Sequence, residues 1–156
     1  WKVLEDGTDE FGAIGHGWTY SAHPIGAAAG VANLALIDDL DLIGNVRRVG
    51  PVLQAGLREA LGGHANVGDI RGEGLLLAVE FVEDREARRF FDSARKVGPQ
   101  VAAAMLRRGV IARAIADTLA LCPPMIISEA EIEELFAPME AALDATHAWA
   151  RKEGHL

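Results

Sequence analysis

Cysteine is all but absent: Cys122 is the single thiol in 156 residues, so no disulfide can form within the chain. Its neighbours are apolar, and the expectation is a buried, inert thiol in a protein of the reducing cytoplasm. No apolar run approaches the roughly 20 residues that a membrane span requires, and no signal peptide is visible. Positive charge is in short supply. Fifteen Lys and Arg face 23 Asp and Glu, for a formal charge of -8 and a pI near 5.1. A surface of that sign repels phosphate backbones and argues against nucleic acid as a partner. The pairs Arg47-Arg48, Arg88-Arg89 and Arg107-Arg108 read as solvated helix faces.

Metal and nucleotide signatures are missing as well. None of His16, His23, His64, His147 and His155 has a ligand spacing supported by nearby Cys or acids. Asp38, Asp39 and Asp41 lack the calcium-loop pattern and suit a helix junction. Neither the P-loop nor the dinucleotide glycine spacing occurs. Methionine is lacking before Met105 and the chain opens on Trp1, which points to a cut chain or a piece of something longer.

What is present is enough apolar residue, 50% of the chain, for one ordinary domain with a core. Residues 1–14 show no helical or strand period and read as a loop. Pro24 fits the first turn of a helix running to about Asp38, with His23 as its cap. Asp41 opens a second helix with Leu42, Val46, Val49, Leu53, Leu57 and Leu61 on one stripe. Gly50-Pro51 should interrupt and kink it, and Gly62-Gly63 should end it. Two strands follow, Val67–Arg71 and Leu75–Val82, separated by a glycine turn in which Arg71 could anchor a carboxylate of the fold. Residues 83–98 are charged and irregular, anchored by Phe90-Phe91. Pro99 opens a helix that stops at Gly109.

Val110–Arg113 and Thr118–Leu121 read as a strand pair around the turn 114–117. Ser128 and Glu131 form a capping box for the last helix. Its inner face would carry Ile132, Leu135, Phe136, Met139, Leu143 and Trp149, with a bend at Pro138. The element order predicts an α+β fold, with an antiparallel or mixed sheet and helices on one side.

Two places suit chemistry. In Gly15-His16-Gly17-Trp18-Thr19-Tyr20-Ser21-Ala22-His23-Pro24, flexible glycines and hydroxyls precede a helix start. Such a segment either cradles an anion with main-chain N–H groups and the Thr19 hydroxyl, or is an ordinary turn whose hydroxyls bond their own backbone. Arg113 ends an apolar strand beside a turn. Its planar fork either takes a ligand carboxylate or pairs with Asp117 four residues on.

The segment Gly17–Pro24 resembles the threonine-containing segment of class III, pyridoxal-phosphate-dependent aminotransferases, the omega-aminotransferases. Three further stretches are similar to motifs of that family and fall in its order: Asp69–Leu75, Gly109–Arg113 and Leu121–Ser128. The match runs from about residue 1 to 156. It implies the C-terminal portion of a fold-type-I enzyme, with 1–38 closing the large cofactor domain and 39–156 forming the small C-terminal domain. It implies that Thr19 binds the phosphate of pyridoxal 5'-phosphate held mainly by the other subunit of a homodimer or larger assembly. Trp18 would line that pocket, and Arg113 would take the substrate carboxylate. The reaction implied moves an amino group from an amine or omega-amino acid to an oxo acid such as pyruvate.

Two departures stand out. Ala116 occupies a turn position where the family often has glycine. Lys2, Lys96 and Lys152 are the only lysines, and none has the context of the family's Schiff-base lysine. No catalytic residue is therefore expected in this chain, and alone it should not turn over. A non-enzymatic α+β module binding a partner or small anion remains an alternative, as does a class III relative with non-transaminase chemistry.

Overall fold

The positions of Pro24, Asp41 and Ser128 set where three of the helices begin, because each solves the problem of unpaired N–H groups in a first turn. Pro24 has no N–H to leave unpaired, and the His23 side chain accepts a hydrogen bond from Gly26 N–H. Asp41 accepts from Gly44 N–H. Ser128 and Glu131 bond reciprocally in the expected capping box. The computed structural model describes residues 2–13 and 19–156. They contain α1 (Lys2–Phe11), α2 (Pro24–Asp39), α3 (Leu42–Leu61), β1 (Val67–Glu73), β2 (Leu76–Phe81), α4 (Val97–Leu106), β3 (Arg113–Ile115), β4 (Thr118–Leu121) and α5 (Glu129–Lys152).

The chain forms two compact units, Trp1–Leu40 and Asp41–Leu156. The first holds α1 and α2, and none of its described residues is buried. The second is built on a sheet of order β1-β2-β4-β3, antiparallel at every pairing. Alternation along β2 turns Leu77, Val79 and Phe81 inward and leaves Leu76 exposed. The inward row meets Val49, Leu53 and Leu57 of α3, Met105 of α4, and Ile132 and Met139 of α5. Burying each such side chain contributes about 1.5–3 kcal/mol. The helices of this unit therefore cover one face of its sheet, the α+β arrangement expected.

Several local expectations need correction. Residues 2–11 are the helix α1, not a loop. Pro51 does not interrupt its helix; α3 runs through it. Helix α4 starts at Val97, with Pro99 inside the first turn, where its missing N–H leaves no carbonyl unpaired. Phe91 is buried as an anchor should be, but Phe90 is 61% exposed. Cys122 is exposed rather than buried. It follows Leu121, which points into the core, so the strand's alternation turns the thiol outward. The strand carrying Arg113 begins rather than ends there, because Val110 spends its N–H on the Met105 carbonyl (3.1 Å) closing α4.

Candidate functional site

Residues 19–22 form a turn leading into α2. His23 N–H donates to the Tyr20 carbonyl at 3.2 Å, and Ala22 takes a left-handed φ of 59° to close the turn. Thr19 is exposed. Among the described residues, neither Thr19 nor Ser21 uses its hydroxyl in a hydrogen bond. No acid lies in the first turn of α2. An exposed threonine in the turn that leads into a 16-residue helix is a donor that fits an anion at the helix's positive end. It fits the phosphate end of a phosphorylated cofactor and offers nothing to an aldehyde end. Trp18, the other residue expected here, lies outside the described residues.

Arg113 opens β3 on the edge of the sheet and is exposed. Register places it opposite Ala120, which is opposite Ala78, which is opposite Arg71. Directly paired residues share a face, so this row crosses the sheet on the side away from its helices. The two arginines differ in electrostatic state. Arg71 donates to Asp69 at 2.9 Å and to Glu80 at 3.1 Å. The hydrogen bond to Asp69, then that to Glu80, holds its guanidinium more firmly protonated than usual. Arg71 is thus the internal carboxylate anchor foreseen. Arg113 makes no ion pair among the described residues.

Asp117 is not the partner of Arg113. Its Oδ1 accepts Gly98 N–H at 2.8 Å, and its carbonyl accepts Phe81 N–H at 2.9 Å. Spacing alone could not separate these roles. The signal was Val97-Gly98-Pro99, where a glycine in a first helical turn marks a close backbone approach. A Cβ at Gly98 would lie 2.1 Å from the Ala116 carbonyl oxygen.

Thr19 and Arg113 belong to different compact units and are described separately. The lysines take no part in either place. Lys2 pairs with Asp6 at 3.0 Å, Lys96 caps the start of α4, and Lys152 ends α5. Among the described residues, no group of three or more His, Cys, Asp or Glu could hold a metal ion. No described helix is long and apolar enough to cross a membrane.

The family model for class-III aminotransferases matches residues 5–143. This chain belongs to the class-III aminotransferase family. A diaminobutyrate–2-oxoglutarate transaminase of Halomonas elongata is 44% identical over the whole of this chain and 34% of its own length. An uncharacterized aminotransferase of Sinorhizobium fredii is 48% identical over 92% of this chain and 31% of its own. Among solved structures, a transaminase from a study of directed evolution by ancestral reconstruction superposes with a TM-score of 0.83 at 49% identity, over 95% of this chain and 33% of that one. The PMP-bound form of an aminotransferase from Vibrio fluvialis gives 0.81 at 33% identity, over 94% of this chain and 32% of that one. The chain therefore spans about a third of the length of its relatives. Its fold is a fragment of the fold-type-I transaminase architecture.

Proposed function

We propose that the chain is the C-terminal part of a pyridoxal-phosphate-dependent transaminase that moves an amino group from an amine or omega-amino acid to an oxo acid such as pyruvate. The observation that carries this reading is Arg113, an exposed guanidinium without an ion pair among the described residues, in a chain matched to class-III aminotransferases over most of its length. The 2-oxoglutarate in the name of the Halomonas relative is also an oxo acid, whose carboxylate the same fork would suit.

Pyridoxal phosphate, when bound, supplies the electron sink for amino exchange. The residues of this chain bind and orient. Thr19 would hold the cofactor by donating its hydroxyl to the phosphate. Trp18, outside the described residues, is assigned to the same pocket by the family resemblance alone. Arg113 holds the acceptor carboxylate by a bidentate, charge-assisted pair, which fixes the direction of the reacting carbonyl. Residues 1–38 complete the large domain and 39–156 the small one. The whole enzyme is a cytoplasmic homodimer or larger assembly that shares its sites, and the 156 residues alone are inactive because the Schiff-base lysine lies elsewhere.

The full-length polypeptide carrying this segment tests the reading by its colour. Purified, it should be yellow, bleach on addition of an amino donor and regain colour with pyruvate. A colourless product that takes up no pyridoxal phosphate overturns the proposal.

A further inference from the structure

The β3–β4 turn is held in an unusual way for a two-residue connection. Ile115 pairs with Thr118, so Ala116 and Asp117 alone make the link. Ala116 adopts φ 50°, a left-handed conformation that alanine rarely takes. The turn lies directly against the first turn of α4. A Cβ added at Gly98 would come within 2.1 Å of the Ala116 oxygen and 2.9 Å of the Asp117 Cα, so glycine alone permits this approach. Asp117 closes the contact with its side chain, Oδ1 accepting Gly98 N–H at 2.8 Å, while its carbonyl accepts Phe81 N–H at 2.9 Å and ties the turn to the end of β2. Its carboxylate also sits at the positive end of α4.

Arg113 stands at the other end of this short strand. β3 has three residues and a neighbour on one side only. At about 3.3 Å per residue, Arg113 is roughly 10 Å from the turn along a strand paired only with β4. A shift of the turn is passed along this short hairpin arm to the arginine. The clamp has a second consequence. Asp117 is the nearest acid in sequence to Arg113, four residues away. Held on α4, it is kept from neutralising that guanidinium.

We propose that Asp117 is a positioning residue for Arg113: by tying the β3–β4 turn to α4 it sets where the guanidinium stands and keeps it unpaired, and so governs affinity for carboxylate-bearing acceptors. This rests on the reading of Arg113 as the carboxylate ligand. Asp117 touches no substrate and acts only through the strand.

The test uses the full-length holoprotein with pyruvate and with acetaldehyde, which is pyruvate without its carboxylate. KM and kcat are measured for Arg113→Ala, Asp117→Ala and Asp117→Asn. Asp117→Ala should raise KM for pyruvate about tenfold, equivalent to roughly 1.4 kcal/mol of carboxylate binding. Acetaldehyde KM and both kcat values should stay within about twofold, the pattern of lost binding rather than lost chemistry. Asp117→Asn keeps an oxygen acceptor for Gly98 N–H and should behave like the parent.

Equal effects of Asp117→Ala on both acceptors, no effect on either, or an Asn variant as damaged as Ala overturns the proposal. Should Asp117→Ala fail to fold, Asp117→Glu replaces it. That variant keeps the acceptor but displaces the turn, and the same selective rise in pyruvate KM is required. If Arg113→Ala harms both acceptors alike, the reading of Arg113 falls and the proposal with it. If Arg113→Ala is selective and the Asp117 variants are not, only the positioning role falls.

Discussion

A hydroxyl and a guanidinium recognise anions differently, and the two candidate residues should fail differently when removed. Thr19 offers one donor in the turn before α2, so in the proposed role its loss would remove one charge-assisted hydrogen bond. In the full-length protein, Thr19→Ala should weaken retention of pyridoxal phosphate by about 1–2 kcal/mol. Titrating the apoprotein with the cofactor measures this, and unchanged affinity would count against the role. Single residues were legible in the sequence where the backbone dictates the side chain's task. His23 caps α2 and Arg71 anchors carboxylates as their positions suggested. They were illegible where two partners lay equally near in sequence. Spacing offered Asp117 to Arg113, while the fold gives it to Gly98 across the chain. Cys122 misled because apolar neighbours in a strand say nothing of which face a side chain takes; strand parity decides that.

Elements with a chemical start signal were readable almost to the residue, and α5 shows why. Ser128 Oγ accepts Glu131 N–H at 3.2 Å, and Glu131 Oε2 accepts Ser128 N–H at 2.8 Å. These bonds hold the Glu131 carboxyl below its usual range, the backbone bond from Ser128 first. The stabilisation they give is complete above the carboxyl's unfolded value and fades as pH falls through the folded one. Ser128→Ala should cost about 1 kcal/mol, read as a lower urea midpoint at neutral pH with an unchanged slope. An unchanged midpoint would mean the box adds nothing to the cohesion of α5. Elements without such signals escaped notice. In α1, Val3, Leu4 and Phe11 would mark a face, but Gly7 occupies the position one turn after Val3 where an apolar residue should repeat. β3 was misplaced by a few residues because Val110 and Ile111 look strand-forming. The ladder runs instead from Arg113 toward the turn, since Val110 N–H is taken by the end of α4.

On the scale of the whole chain, the two units stand on different footings. Asp41–Leu156 encloses a continuous core. In the other unit, α2 is apolar on all sides, yet Val31 is 70% exposed. That composition belongs to a helix surrounded by protein, and the relatives are about three times as long. The enclosed unit also carries a polar knot between the α3–β1 connection, the end of β2 and α5. Asn66 is 5% exposed and donates from its amide to the Val82 carbonyl at 2.9 Å and the Glu83 carbonyl at 3.3 Å. Those donations turn its oxygen toward His147 Nδ1, which must therefore carry the proton. His64 Nδ1 accepts Asn66 N–H at 3.1 Å and needs to be unprotonated to do so. Burial, then the nearby His147, lowers the His64 pKa, and Asp144 at 3.8 Å only partly opposes them. The folded chain thus resists a proton that the unfolded chain accepts below about pH 6.5. Stability is fully present above that pH and falls as the solution is acidified toward the lower folded value. The urea midpoint of the full-length protein should be flat from pH 8 to about 6.5 and then decline, in a step that His64→Asn makes shallower because the asparagine Oδ1 stands where Nδ1 does and accepts the same bond without titrating. An equally steep decline in the variant would place the acid sensitivity at other groups and leave the knot a purely structural joint.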